Sequence, residues 1–182
     1  MEQNRTENKI FDFLKGNSKI FIYSIISLLI IAVVSFFYIS NTESKKIKIS
    51  EDYIKAKIFL NNGNNIKAKE ILTKIIIQKD SVYSSLSLFL IIEKKLIKDK
   101  KFILDYFDLI INKGSLKKED TNLLKLKKAI YISEIDKEEE IIELLNPIIN
   151  SESVWRPQAL KFLGDFYYCF GQLQKAKQYY SL

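Results

Sequence analysis

The chain has 182 residues, is 47% hydrophobic and carries a formal net charge of +7. It contains no His, which excludes a Ser-His-Asp triad, imidazole zinc ligation and a histidine pH switch, and its single Cys169 excludes an intrachain disulfide or a cysteine metal cluster. With only 5 Gly and 2 Pro the composition disfavours a β-rich fold, whose turns draw on those residues, and suits helices joined by short loops.

The lysines alternate with acids along the whole chain, as in Glu43-Ser44-Lys45-Lys46 and Lys117-Lys118-Glu119-Asp120. A nucleic-acid binder needs a clustered basic face, so no nucleic-acid partner is expected.

Residues 1–18 read as a short leader. From Ile20 to Ile39 run twenty residues without a charge, IFIYSIISLLIIAVVSFFYI. As a helix this stretch spans ~30 Å, the hydrocarbon thickness of a bilayer. Aromatic residues near both ends (Phe21 and Tyr23, then Phe36, Phe37 and Tyr38) suit the headgroup regions. The run exceeds a signal-peptide core, and Ser40-Asn41-Thr42-Glu43 is no small-x-small cleavage site, so residues 19–40 are expected to be a retained transmembrane anchor. Flanking lysines on both sides leave its orientation undecided by charge. Ser24, Ser27 and Ser35 fall within roughly 80° on such a helix and form a candidate contact stripe for a second transmembrane helix.

Residues 41–49 read as a Ser- and Lys-rich linker, and 50–182 as a helical repeat domain. Ser50 and Asn65 are expected to cap its first two helices. Ser81 is expected to cap a helix to about Ile97, and Asp99 another carrying Phe102, Ile103, Tyr106, Phe107 and Ile110. Gly114 and Ser115 mark a break before a helix from Leu116 to Ser133. Asp136 and Glu139 form a capping box, Pro147 closes the following helix, and Pro157 sits in the first turn of the next. The sum is an all-α solenoid of about four helical hairpins.

The last hairpin carries the clearest pattern. In LGDFYYCFGQLQKAKQYY, Leu163, Gly164, Tyr167, Gly171, Ala176 and Tyr180 occupy the signature spacing of a tetratricopeptide repeat, with Leu160 in its tryptophan slot. Leu163 and Tyr167 lie one turn apart on the packing face, Gly164 and Ala176 are small where two helices cross, and Gly171 admits the left-handed helix end. A weaker copy aligned on Gly63 places Ala56, Phe59, Ala68 and Leu72 at corresponding positions.

The layout of leader, anchor and degenerate tetratricopeptide-like domain resembles the YfgM family, ancillary subunits of the bacterial SecYEG translocon. In residues the resemblance rests on Trp155-Arg156-Pro157 and on the repeat from Ala159 to Tyr180. It implies a single-pass protein of the bacterial inner membrane with a cytoplasmic N-terminus and a periplasmic domain. Its implied partners are translocon subunits, periplasmic chaperones or client polypeptides, with lipid around the anchor. A different assembly, such as a cell-division or envelope complex, or a cytoplasmic domain, is the alternative.

No residue cluster composes an active site, and neither a cofactor, a metal nor a small-molecule substrate is expected. The five glycines make no phosphate-binding loop. Glu138-Glu139-Glu140 reads as a solvated first turn, and Asp165 and Cys169 as groove positions of the repeat. Carrying over those groove positions gives a candidate protein-binding surface of Tyr53, Lys57 and Asn61 at one end, and of Gln158, Lys161, Asp165, Tyr168 and Cys169 at the other.

Overall fold

A computed structural model describes the backbone of residues 18–133 and 138–182, and their side chains apart from 18–22, 37–40, 42 and 113. All of the regular elements among the described residues are helices: α1 Ser18–Asn61, α2 Asn65–Gln78, α3 Tyr83–Glu93, α4 Lys100–Lys113, α5 Lys118–Ile132, α6 Glu138–Ile149, α7 Arg156–Cys169 and α8 Leu173–Tyr180. The chain divides into two compact units, 1–48 and 49–182.

In the first unit the described residues belong to α1, and the side chains of 23–36, Ser24, Ser27 and Ser35 among them, are all exposed. Among the described residues no helix is long and apolar enough to cross a membrane.

Residues 41–49, expected as a linker, are helical, and Ser50 lies inside α1 rather than capping a new helix. Neither Gly nor Pro occurs between Ser40 and Asn61, so nothing interrupts the i→i−4 ladder.

In the second unit successive helices from α2 onward pack on one another, and one type of turn recurs at three of the helix ends. At Gly63 (φ 73°) the Gly63 and Asn64 amides donate to the Leu60 and Phe59 carbonyls at 3.0 and 2.8 Å. At Gly171 (φ 71°) the same pair runs from Gly171 and Gln172 to Tyr168 and Tyr167, at 3.0 and 2.9 Å. These are Schellman ends, in which a left-handed residue folds two amides back onto the last helical carbonyls.

The middle of the chain hides a third copy. Lys95 holds φ 51°, and the Lys95 and Leu96 amides donate to Ile92 and Ile91 at 3.1 and 3.0 Å. That turn ends α3 at Glu93, short of the expected Ile97.

Caps account for the other differences. Asn64, one residue before Asn65, accepts from the Lys67 amide at 3.2 Å. Asp80 rather than Ser81 accepts from the Val82 and Tyr83 amides, at 2.9 and 2.8 Å. A carboxylate favours this place because it meets two unpaired donors and the positive end of the helix. Asp99 caps α4 as expected, accepting from the Lys101 amide at 2.8 Å. The Asp136 end of the expected capping box lies outside the described residues.

Pro147 does not close α6, which continues to Ile149. The carbonyl left without a donor belongs to Glu143, an exposed position where water can replace the missing amide.

The core forms two contiguous clusters. Ala56, Leu72, Ile76, Leu88, Ile91, Ile103, Phe107, Ile110 and Leu124 make the first. Leu126, Ala129, Ile132, Ile141, Leu145, Ile148, Ala159, Leu163, Phe166, Tyr167 and Ala176 make the second. Helix α5 supplies both, as a helix inside a stack must. It also carries Lys128, only 7% exposed, whose ammonium meets Asp108 of α4 at 2.9 Å and Glu140 of α6 at 3.1 Å.

Candidate protein-binding groove

The first helices of the hairpins are the end of α1, then α3, α5 and α7. Tyr53, Lys57, Leu60 and Asn61 of α1 share a pocket of about 300 Å³ with Leu90, Glu93 and Lys94. Three of the sequence-derived positions, Tyr53, Lys57 and Asn61, thus come together. The Tyr53 ring lies 5.6 Å from that of Tyr83. Burial, then the Glu93 charge, then Tyr83 hold its phenol above the usual tyrosine pKa. Lys94 in turn neutralises Glu93 at 2.8 Å.

Glu93 also borders a larger pocket of about 440 Å³, formed by Phe89 and Ile92 of α3, Phe107 of α4, and Lys127, Ile130 and Tyr131 of α5. Phe107 is its buried floor, and Ile130 is exposed at its wall. Sequence reading passed over this surface. Phe89, Ile92 and Glu93 repeat the spacing of Lys127, Ile130 and Tyr131, each set one helical stripe. Such a stripe is indistinguishable from a core face until the partner helix is placed.

The remaining positions, Gln158, Lys161, Asp165, Tyr168 and Cys169, lie on α7, and all but the half-buried Asp165 are exposed. They do not share the pocket of Tyr53. Asp165 is already engaged: Lys161 pairs with its Oδ2, and the Tyr180 hydroxyl donates to Oδ1 at 2.7 Å. Lys161 first, then Tyr180, hold its carboxyl below the usual range, while the Tyr180 phenol is pushed up to about 12, chiefly by its bond to Asp165. Tyr168, 63% exposed, and the free thiol of Cys169 remain open to a partner.

The Glu138-Glu139-Glu140 run is divided among neighbours, Glu138 serving Tyr167 and Lys175 and Glu140 serving Lys128. Among the described residues no group of three or more Cys, Asp or Glu is placed to hold a metal ion. What the paired pockets offer is apolar contact area edged by Lys57, Glu93 and Lys127, the chemistry of seating a side chain from another polypeptide. Compared with protein-family models, curated proteins and solved structures, the chain matches none of them.

Proposed function

We propose that this protein is a membrane-anchored scaffold whose helical repeats seat segments of other polypeptides. The observation that carries the reading is the apolar groove of Phe89, Ile92, Ile130 and Tyr131, open to solvent on the first helices of consecutive hairpins. The uncharged run from Ile20 to Ile39, helical and uncovered over its described side chains, supports the anchor. The resemblance in layout to the YfgM family supports a place beside the Sec translocon, with the repeat domain in the periplasm and chaperones or client chains as partners.

Two photoreactive residues test this in intact membranes, one at Ser27 and one at Ile130. Translocon subunits captured from Ser27, together with a chaperone or client captured from Ile130, are the expected result. Capture at Ile130 without translocon at Ser27 would leave an adaptor for another assembly. Absence of any polypeptide at Ile130 would remove the groove reading. Alkaline phosphatase fused after Leu182 reports orientation, being active only if the domain lies outside the cytoplasm.

A further inference from the structure

A second uncovered surface lies on α2 and α4, the second helices of the first two hairpins. Ile66, Lys69, Glu70, Thr73 and Lys74 of α2, residues 96–99 of the α3–α4 connection, and Phe102 and Tyr106 of α4 line an open groove of about 820 Å³. Ile66 is 78% exposed and Phe102 55% exposed. Exposed apolar side chains scattered singly need no explanation, but two flanking one groove with Leu96 and Ile97 between them form a patch.

The charges around this patch are unequally engaged. Glu70 is paired with Lys74 at 2.7 Å. Asp99 accepts the Lys101 amide as the α4 cap. Asp105 faces the Lys101 ammonium at 3.5 Å. Of the two acids in the lining, Glu70 is thus neutralised, whereas Asp99 is held by an amide and keeps its charge. Lys69, Lys74 and Lys98 face only Glu70 and Asp99 in the lining, and Lys69 and Lys98 make no ion pair among the described residues, so the patch suits a partner that brings negative charge together with apolar surface.

We infer that this outer face of α2 and α4 docks onto an anionic lipid surface, Ile66 and Phe102 entering the headgroup boundary while Lys69 and Lys98 meet lipid phosphates. Apolar side chains below and lysines beside them are the arrangement by which peripheral helices hold to charged bilayers. The inference rests on the anchor reading in one respect: a tether keeps the domain near the bilayer, so a weak contact suffices.

The test uses the full chain carrying Cys169→Ser and one bimane label at a time, at Ile66→Cys, Phe102→Cys, Lys57→Cys or Ser27→Cys. Vesicles of brominated phosphatidylglycerol or brominated phosphatidylcholine serve as quenchers. Quenching at 66 and 102 in phosphatidylglycerol, weaker in phosphatidylcholine and absent at 57, is the expected pattern. Charge removal by Lys69→Gln and Lys98→Gln should reduce the docked-to-undocked ratio about fivefold per lysine. Raising salt to 1 M, where the Debye length falls to about 3 Å, should also release the face. Labels at 66 and 102 that stay in water in both lipids, or that quench no more than the label at 57, overturn the inference. So does protection of 66 and 102 in native membranes but not in pure lipid, which would assign the face to a protein. The label at Ser27 reports insertion of the anchor separately, so failure there is distinct from failure of the outer face.

Discussion

The Tyr167 hydroxyl donates to Glu138 Oε1 at 2.7 Å, joining the last turn of α7 to the first turn of α6. Lys175 of α8 completes the cluster, 3.0 Å from the same oxygen and 4.7 Å over the Tyr167 ring. Tyr179 stacks on that ring at 5.4 Å with 3° between the planes. One tyrosine thus ties both helices of the terminal hairpin to α6 of the hairpin before it.

Tyr167→Phe tests that link. It keeps the ring contacts and removes one hydrogen bond to a carboxylate. Because Glu138 is 39% exposed and keeps Lys175, the expected loss is only about 1 kcal/mol in urea unfolding. The pH profile should change at both ends. Tyr167 first, then Lys175, hold the Glu138 carboxyl below its ordinary 4.5. Its contribution is therefore present above pH 4.5 and is lost as pH falls through the lowered folded value. Burial, then Glu138, raise the Tyr167 phenol above its ordinary 10.0. That contribution is present below pH 10.0 and is lost as pH rises toward the higher folded value. The variant should remove Tyr167's share of the alkaline loss, leaving those of Tyr53 and Tyr180, and should reduce the acid loss in part.

Gly164→Ala probes the crossing of α7 and α8. A Cβ at this position would stand 2.7 Å from Tyr180 Cζ and closer still to Cε1, so the ring must move. The ring is half exposed and near the helix end, so it can swing aside. The gain of alanine over glycine within a helix, about 0.5–1 kcal/mol, then offsets much of the strain. Stability should change by less than about 1 kcal/mol. The hydrogen bond to Asp165 should break, and the Tyr180 phenol should return from about 12 toward 10.0, read as a carbon-13 NMR titration.

Lys95→Gly should stabilise the protein. Relief of the left-handed conformation is worth about 1–2 kcal/mol, and the added freedom of the unfolded chain costs about 0.4–1 kcal/mol. A net gain of roughly 0.5–1 kcal/mol should appear as a raised Tm. Gly171→Ala, the reverse change in the equivalent turn, should lower stability by about 1 kcal/mol.

Lys128→Met replaces the buried ammonium but keeps its stem. Burial pushes the Lys128 pKa down, yet the bonds and charges of Asp108 and Glu140 outweigh it, and the net shift is upward. Removing a partner from a buried pair costs about 3–5 kcal/mol, but here both carboxylates keep access to water. The expected loss is about 1–2 kcal/mol, with Lys128→Glu, which places three carboxylates together, costing clearly more in the same urea titration.

Ile130→Asp separates binding from folding. Ile130 is exposed at the groove wall, so the change should shift stability by no more than about 0.5 kcal/mol. Capture of a polypeptide by a photoreactive residue at Tyr131 should nevertheless fall sharply if the groove is the docking surface.

The sequence alone determined the helical class, the alternation of hairpins and the terminal turn. Helices impose a period on apolar residues, and glycine is the residue that most readily adopts a left-handed end. It also determined Tyr53, Lys57 and Asn61 as neighbours on one helix face. Only the tertiary structure disclosed the Schellman turn at Lys95, because lysine carries no signature for that conformation and the surrounding contacts enforce it. It likewise moved the caps to Asn64 and Asp80, where local geometry chooses among adjacent polar residues. The groove of Phe89, Ile92, Ile130 and Tyr131 was equally invisible in sequence. An apolar stripe reads the same whether a neighbour covers it or leaves it open, and only the packing of α3, α4 and α5 decided that this one stays open.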